Sequence, residues 1–355
     1  MSERFNRSPG NAAPAFTLIE LLTVVFIISL LIGILVPSLS AARTAAKKAV
    51  SSKALQTITV GLEMFSNDNG AQFPQTNGYP PSFAHPPIRG VSFRPHLGEF
   101  PFLEVPVPVY GAHWLPAMLM GVDTLGYVQR GSVPKNLREF PSKWYTPDPL
   151  GENTTLNRAP LYVDPGNLPM LKTKDLPGRP DKQFFPNWDN NNPFGTQNLP
   201  VIVDGFDYPV LYYVANKHGR TTNMVEREHL ANNTYTGGPQ REGVPYYFHQ
   251  DNAGFTGTDI GTVTGPGWNF NGEHTITRTG ADLDAAQLIL PENRDTFARY
   301  VAGRKLFRNL EATIDPPPAS PLRPVNSDSF LLISPGADGR YGTNDDISNL
   351  PGWPD

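Results

Sequence analysis

The sequence predicts an α+β fold: a long N-terminal helix packed on a small antiparallel sheet, with large loop-rich insertions. Three observations lead there. An apolar run at 16–39 passes into a stripe of helical spacing. Two short runs of β-branched and aromatic residues, within 201–215 and at 330–333, read as strands. Between them the chain is punctuated too heavily for long helices, since its 355 residues include 38 prolines and 32 glycines.

Residues 1–15 are short and polar, carry Arg4, Arg7, Pro9 and Pro14, and read as a leader removed from the mature chain. Residues 16–39, FTLIELLTVVFIISLLIGILVPSL, are almost wholly apolar. About 20 such residues cross the roughly 30 Å hydrocarbon core as a helix. A cleaved secretory signal would have an apolar core of about 7–15 residues, shorter than this one. A plain anchor explains the length but not Glu20, an acid inside the run. Acids are rare in spans and are kept where they have a partner.

The helical pattern continues after Pro37. Leu39, Ala42, Ala46, Val50, Ala54, Ile58, Leu62 and Phe65 recur at three or four residues. Asn67-Asp68-Asn69-Gly70 supplies a stop and Pro74 follows it. The helix is therefore expected over 17–67, about 75 Å at 1.5 Å per residue. Arg43, Lys47, Lys48 and Lys53 lie in its second half. Cations are commoner after the span than before it, which taken alone places the C-terminal side in the cytoplasm.

Residues 73–200 hold 22 of the 38 prolines and are expected to be ordered but loop-rich, because aromatics are frequent among the prolines. A short helix is expected at 113–125 and an extended or edge segment at 102–110. Residues 201–215, VIVDGFDYPVLYYVA, suggest a hairpin about Asp204-Gly205-Phe206-Asp207. Residues 216–326 are polar and Gly-rich, with helical spacing at 281–290 and 294–307 and a stiff Pro run at 315–318.

The strand at 330–333 leads into Ser334-Pro335-Gly336-Ala337-Asp338-Gly339-Arg340-Tyr341-Gly342-Thr343-Asn344-Asp345-Asp346. Asp338, Asp345 and Asp346 crowd one loop and repel one another unless a cation sits among them. Ca²⁺ takes about 6–8 oxygens, mixing carboxylates and carbonyls. Zn²⁺ would call for His or Cys, and none is near. The spacing is not that of an EF-hand. A solvated Asp-Gly turn is the plainer alternative.

Other classes are disfavoured. The net charge of −4 offers no basic surface for nucleic acid. Cys is absent, so there is neither a disulfide framework nor a thiolate metal site. The seven histidines are scattered and read as surface or loop residues. No nucleophile elbow is present, and the Gly-rich stretch at 257–267 lacks a strand-to-helix setting. With no catalytic constellation, the chain is read as a non-enzyme.

Ala15-Phe16-Thr17-Leu18-Ile19-Glu20 resembles the cleavage and methylation motif of type IV prepilins and type II secretion pseudopilins. The resemblance implies cleavage by prepilin peptidase between Ala15 and Phe16, N-methylation of Phe16, and pairing of Glu20 with the Phe16 amine of a neighbouring subunit. Ala15 stands where the family usually has Gly. Pro37 falls where these proteins carry a helix-bending proline. The turn at 204–208 is similar to a pseudopilin hairpin, and the acidic loop is similar to the calcium loop of the major pseudopilin. That likeness implies side-chain ligands Asp338, Asp345 and Asp346, with carbonyls of Pro335, Arg340 and Thr343. The expected organisation is a leader at 1–15, a helix at 16–70 spanning the membrane in 16–39, and a pilin-like globular domain at 71–355 with insertions at 73–200 and 217–326. The implied partners are prepilin peptidase, other copies and related pilin-like subunits, an inner-membrane assembly platform and the lipid bilayer. The implied location is the bacterial inner membrane, single-pass, with the globular part periplasmic or in an extracytoplasmic filament. A secretion pseudopilin is favoured; a pilin for adhesion or motility, or a tethered binding or enzymatic ectodomain, are the alternatives.

Overall fold

The computed structural model describes residues 17–70, 73, 76–82, 110–128, 133, 135, 156–177, 196–216, 247, 249–256, 297, 300–301, 324–343 and 345–350. The predicted leader, the segment 102–109, the helix at 281–290 and the Pro run at 315–318 lie outside the described residues, as do Ala15 and Phe16. The chain divides into two compact units, Met1–Ala46 and Lys47–Asp355.

Helix α1 runs over Leu18–Asn69, 52 residues, against an expectation of 17–67. In the first unit its large apolar side chains, from Leu18 to Leu39, are exposed. Pro37 lies inside the helix; it has no N–H to offer the carbonyl four residues back, at Gly33. The Thr23 hydroxyl donates to the Ile19 carbonyl at 2.8 Å, so this polar group is satisfied within the helix.

In the second unit α1 buries Ser51, Ala54, Leu55, Ile58, Gly61, Leu62, Phe65 and Asn69, a stripe at helical spacing. The stripe was expected to begin at Leu39. Leu39, Ala42, Ala46 and Val50 are instead exposed. Burial starts at Ser51 because a turn seats there: the Gly205 N–H donates to Ser51 Oγ at 3.0 Å.

Helix α2 spans Gly111–Leu119 and buries all nine residues. It begins before the expected 113 because the Tyr110 N–H at its entrance donates to His113 Nδ1 at 3.2 Å. It stops short of 125 because Gly121 takes φ 79°, left-handed backbone that ends a helix.

Strand β1 (Met170–Lys172) pairs antiparallel with β2 (Pro200–Ile202), Leu171 opposite Val201. Strands β3 (Leu211–Val214), β4 (Phe330–Ser334) and β5 (Ile347–Ser348) form a second antiparallel sheet in that order. Tyr212 stands opposite Leu332, and Ile333 opposite Leu211. The expected hairpin is corrected in part. Its turn closes, with Asp204 N–H donating to the Tyr208 carbonyl at 2.8 Å and Val210 N–H to the Ile202 carbonyl at 2.9 Å. Its arms then separate, β2 to β1 and β3 to β4. Asp207 at φ 69° and Pro209, which lacks an N–H, limit the ladder between them.

The three-stranded sheet is buried on both faces. Tyr212, Val214, Phe330 and Leu332 join the core of α1 and α2, around Ile58, Leu62, Phe65, Trp114 and Leu115. Leu211, Tyr213, Leu331 and Ile333 join a second core with Phe255, Phe297, Tyr300 and Val301. Alternate residues of a strand face opposite ways, so one run feeds two cores. This explains why 210–215 is apolar throughout rather than alternating. The regions read as insertions thus carry structural weight. The 73–200 region supplies α2 and β1, and the 217–326 region supplies Tyr247, Phe255, Phe297, Tyr300 and Val301 to the second core. A short helix α3, Ala253–Thr256, belongs to that region.

Candidate functional site

Three features bear on the sequence-predicted chemistry. The first is the entrance of α1. The Thr17 N–H donates to Glu20 Oε2 at 2.8 Å and the Thr17 hydroxyl to the same oxygen at 2.7 Å. In return the Glu20 N–H points at Thr17 Oγ1 at 3.3 Å. Thr-x-x-Glu is a capping box, in which two donors of the first helical turn find partners reciprocally. Glu20 thus has a partner inside its own chain, and the Thr17-to-Glu20 spacing shows it in the sequence.

The second is the turn at 204–209, which lies between the helix and the acidic loop. Asp204 is buried. Its Oδ1 accepts from Phe206 N–H at 2.8 Å and Tyr208 N–H at 2.9 Å, and its Oδ2 accepts from the Ser334 hydroxyl at 2.6 Å. Burial pushes its carboxyl up from the ordinary 3.8 to about 6, against these hydrogen bonds. Gly205 lies so close to α1 that an added Cβ would sit 2.3 Å from the Lys47 carbonyl oxygen. Lys47 Nζ stands 5.2 Å from the centre of the Phe206 ring, within cation–π range.

The third is the acidic loop, which packs against that turn. The Tyr341 hydroxyl donates to the Pro209 carbonyl at 2.7 Å, and Gly339 lies against the Tyr208 ring. Gly336, Gly339 and Gly342 take φ values of 68°, 70° and 92°, a backbone that side chains resist. Asp345 closes the loop. Its Oδ2 accepts from Ala337 N–H at 2.8 Å and Asp338 N–H at 3.0 Å, and its Oδ1 from the Thr343 hydroxyl at 2.6 Å. Asp338 Oδ1 accepts from Arg340 N–H at 2.8 Å. Burial raises the Asp338 carboxyl, and the charge of Asp345 raises it further.

Asp346 is turned inward and fully buried. Its Oδ2 accepts from Gly342 N–H at 2.8 Å and from the Tyr300 hydroxyl at 2.9 Å. Burial holds its carboxyl well above the ordinary range. The loop therefore brings Asp338 and Asp345 together, both partly exposed, and sets Asp346 toward the second core. Among the described residues no three of His, Cys, Asp and Glu are grouped as the side-chain ligands of a metal ion. A cation here would lean on main-chain oxygens as well as Asp338 and Asp345, a mixture that suits Ca²⁺.

Three buried polar features were not legible. His113, read above with the surface histidines, is buried in α2. Its Nδ1 accepts from Tyr110, so its Nε2 carries the proton toward Thr173 Oγ1 at 3.0 Å, and Thr173 donates on to the Leu199 carbonyl at 3.1 Å. Burial pulls the imidazole down from 6.5 to about 3. Ser82 donates to Asp251 at 2.5 Å while accepting from Val214 N–H at 3.0 Å. Asn252 bridges α2 and β3, accepting from Ala112 N–H at 2.9 Å and donating to the Tyr212 carbonyl at 2.8 Å. Their partners lie far away in sequence, so no local pattern announces them.

Compared with protein-family models, curated proteins and solved structures, the chain matches none.

Proposed function

We propose that this chain is a structural subunit of a pilus-like filament, of the type II secretion pseudopilin kind. Before assembly, residues 16–39 hold it in the bacterial inner membrane, with the leader on the cytoplasmic side and the globular part on the extracytoplasmic side. Prepilin peptidase cuts between Ala15 and Phe16, and Phe16 is N-methylated. One observation supports this most. A single helix of 52 residues buries a stripe from Ser51 onward and leaves the apolar run 18–39 exposed. Exposed apolar surface on that scale calls for lipid or for other helices of its kind. The capping box adds a role for Glu20: Thr17 occupies it in the isolated chain, and the Phe16 amine of a neighbour takes it up in the filament. Pro37 adjusts the helix for packing. Intact-mass and N-terminal analysis of membrane-extracted protein tests the proposal. A chain beginning at N-methyl-Phe16 supports it. A chain still beginning at Met1, or trimmed near Ala41, sinks it.

Calcium belongs to the same proposal. Asp338 and Asp345, with Asp346 and the carbonyls of Pro335, Arg340 and Thr343, would hold the ion. The ion would supply positive charge to a loop whose carboxylates otherwise repel. Melting in calcium and in chelator should differ for the natural chain. Asp345→Ala should abolish that gap; a gap of unchanged size would refute the site.

A further inference from the structure

Helix α1 carries no acid between Glu20 and Glu63, yet four cations fall in that interval: Arg43, Lys47, Lys48 and Lys53. All four are exposed. None of them forms an ion pair with a described residue. Lys47 has a neighbour in the Phe206 ring; no described group neutralises Arg43 or Lys48. Water solvates exposed cations of this kind, and it is their clustering beyond one end of the apolar run that points to a further partner.

Their sequence positions indicate which. Arg43, Lys47 and Lys48 follow Leu39, the last residue of the apolar run, by four, eight and nine residues. Headgroup regions extend roughly 5–7 Å beyond each side of the hydrocarbon core, and long basic side chains reach along such a boundary. At about 100° per residue, positions 43, 47 and 48 do not share one narrow face. Positions 43 and 47 lie about 40° apart and 48 about 140° from 43, so the three make a partial collar over somewhat less than half of the circumference, wide enough for separate headgroups. The side chains between them, Thr44, Ala45 and Ala46, are small and leave room for lipid.

We infer that Arg43, Lys47 and Lys48 form a juxtamembrane collar that binds anionic phospholipid headgroups. The inference rests on the proposal that 16–39 spans a bilayer. It accounts for the excess of cations beyond the span without assigning that side to the cytoplasm. The collar draws anionic lipid to itself, and its charge needs no cytoplasmic partner.

The test uses the full chain reconstituted in vesicles of phosphatidylcholine alone, or of three parts phosphatidylcholine to one part phosphatidylglycerol. Flotation reports incorporation, and native mass spectrometry of the released protein reports which lipids it retains. The expected result is incorporation into both vesicles, with the ratio of phosphatidylglycerol to phosphatidylcholine among the retained lipids about fivefold that of the bilayer or more, since one cation at a surface already has that effect. Molar salt should erase the enrichment. R43Q/K48Q, which spares Lys47 and its ring contact, should incorporate normally and retain a clearly smaller excess of phosphatidylglycerol than the natural chain. Incorporation without enrichment, or enrichment undiminished in R43Q/K48Q, overturns the collar and leaves the span standing. Salt-sensitive capture by the anionic vesicles alone overturns the span and leaves the cations' role. Binding to neither vesicle overturns both.

Discussion

Asp204 holds three parts of the second unit with one carboxylate: its own turn through two amides, β4 through Ser334, and, by shaping the turn, the seat of α1. Its raised pKa has a definite consequence for stability. Below about pH 4 the carboxyl is protonated in both folded and unfolded chains, and it contributes no pH dependence. Between about 4 and 6 the unfolded chain releases the proton while the folded chain keeps it, so stability falls as pH rises. Above 6 the loss is complete and constant, about 3 kcal/mol for a shift of this size. Asp204→Asn keeps an oxygen for the amides and an N–H for Ser334 and removes the buried charge. The difference in unfolding free energy between natural chain and variant, followed by denaturant titration, should grow across pH 4–6 and then level. His113 works oppositely. Its depressed pKa costs stability as pH falls below 6.5, so only the difference profile isolates Asp204. A flat difference would show that Asp204 is ionised at no cost.

At the scale of elements, the turn at 204–209 is where helix, sheet and acidic loop meet in the second unit. Gly205 is the closest approach. Gly205→Ala would place a methyl against the Lys47 carbonyl, and neither backbone yields readily. A loss of about 1–3 kcal/mol is expected, the usual range for overpacking, with increased hydrogen exchange over the α1 turn at Ser51. Gly166→Ala is the control, since its Cβ would meet only Asp164 Oδ1 at 3.4 Å; its melting temperature should stay near that of the natural chain. If both variants melt alike, the turn does not grip the helix. The acidic loop follows the same logic. Its glycines bend it, Asp345 ties its start to its end, and Asp346 is fastened by Tyr300, 46 residues away in sequence.

At the scale of the whole second unit, the β3–β4–β5 sheet separates two cores. Phe297 packs on Tyr213, with ring centres 5.1 Å apart, and is 1% exposed. Phe297→Ala should therefore cost about 3–5 kcal/mol. Leu161→Ala, at a side chain 45% exposed, should change stability by about 0.5 kcal/mol or less. Equal effects by chemical denaturation would mean that the 217–326 region is an appendage rather than one wall of a core. The remaining exposed apolar surface of α1, from Leu18 to Leu39, lies in the first unit, in a helix long and apolar enough to cross a membrane.

Much of this was legible in the sequence because its signals are local. The apolar run and the spacing of Ala54, Ile58, Leu62 and Phe65 mark α1 to within two residues at each end. The β-branched and aromatic runs mark β3 and β4, and three glycines with three aspartates mark a curled acidic loop. The capping box is equally local, since Thr17 and Glu20 sit three residues apart. What only the tertiary structure decided depends on partners distant in the chain: where along α1 burial begins, which strand each arm of the 204 turn joins, that both faces of β3 are covered, that His113 is a core residue, and which way Asp346 points. A helix or a turn is fixed by neighbours within a few residues, whose influence is written in their order. Burial and strand pairing are fixed by residues brought together across the chain, as Leu211 opposite Ile333 in the β3–β4 ladder, and the linear order does not say which of several apolar faces will meet.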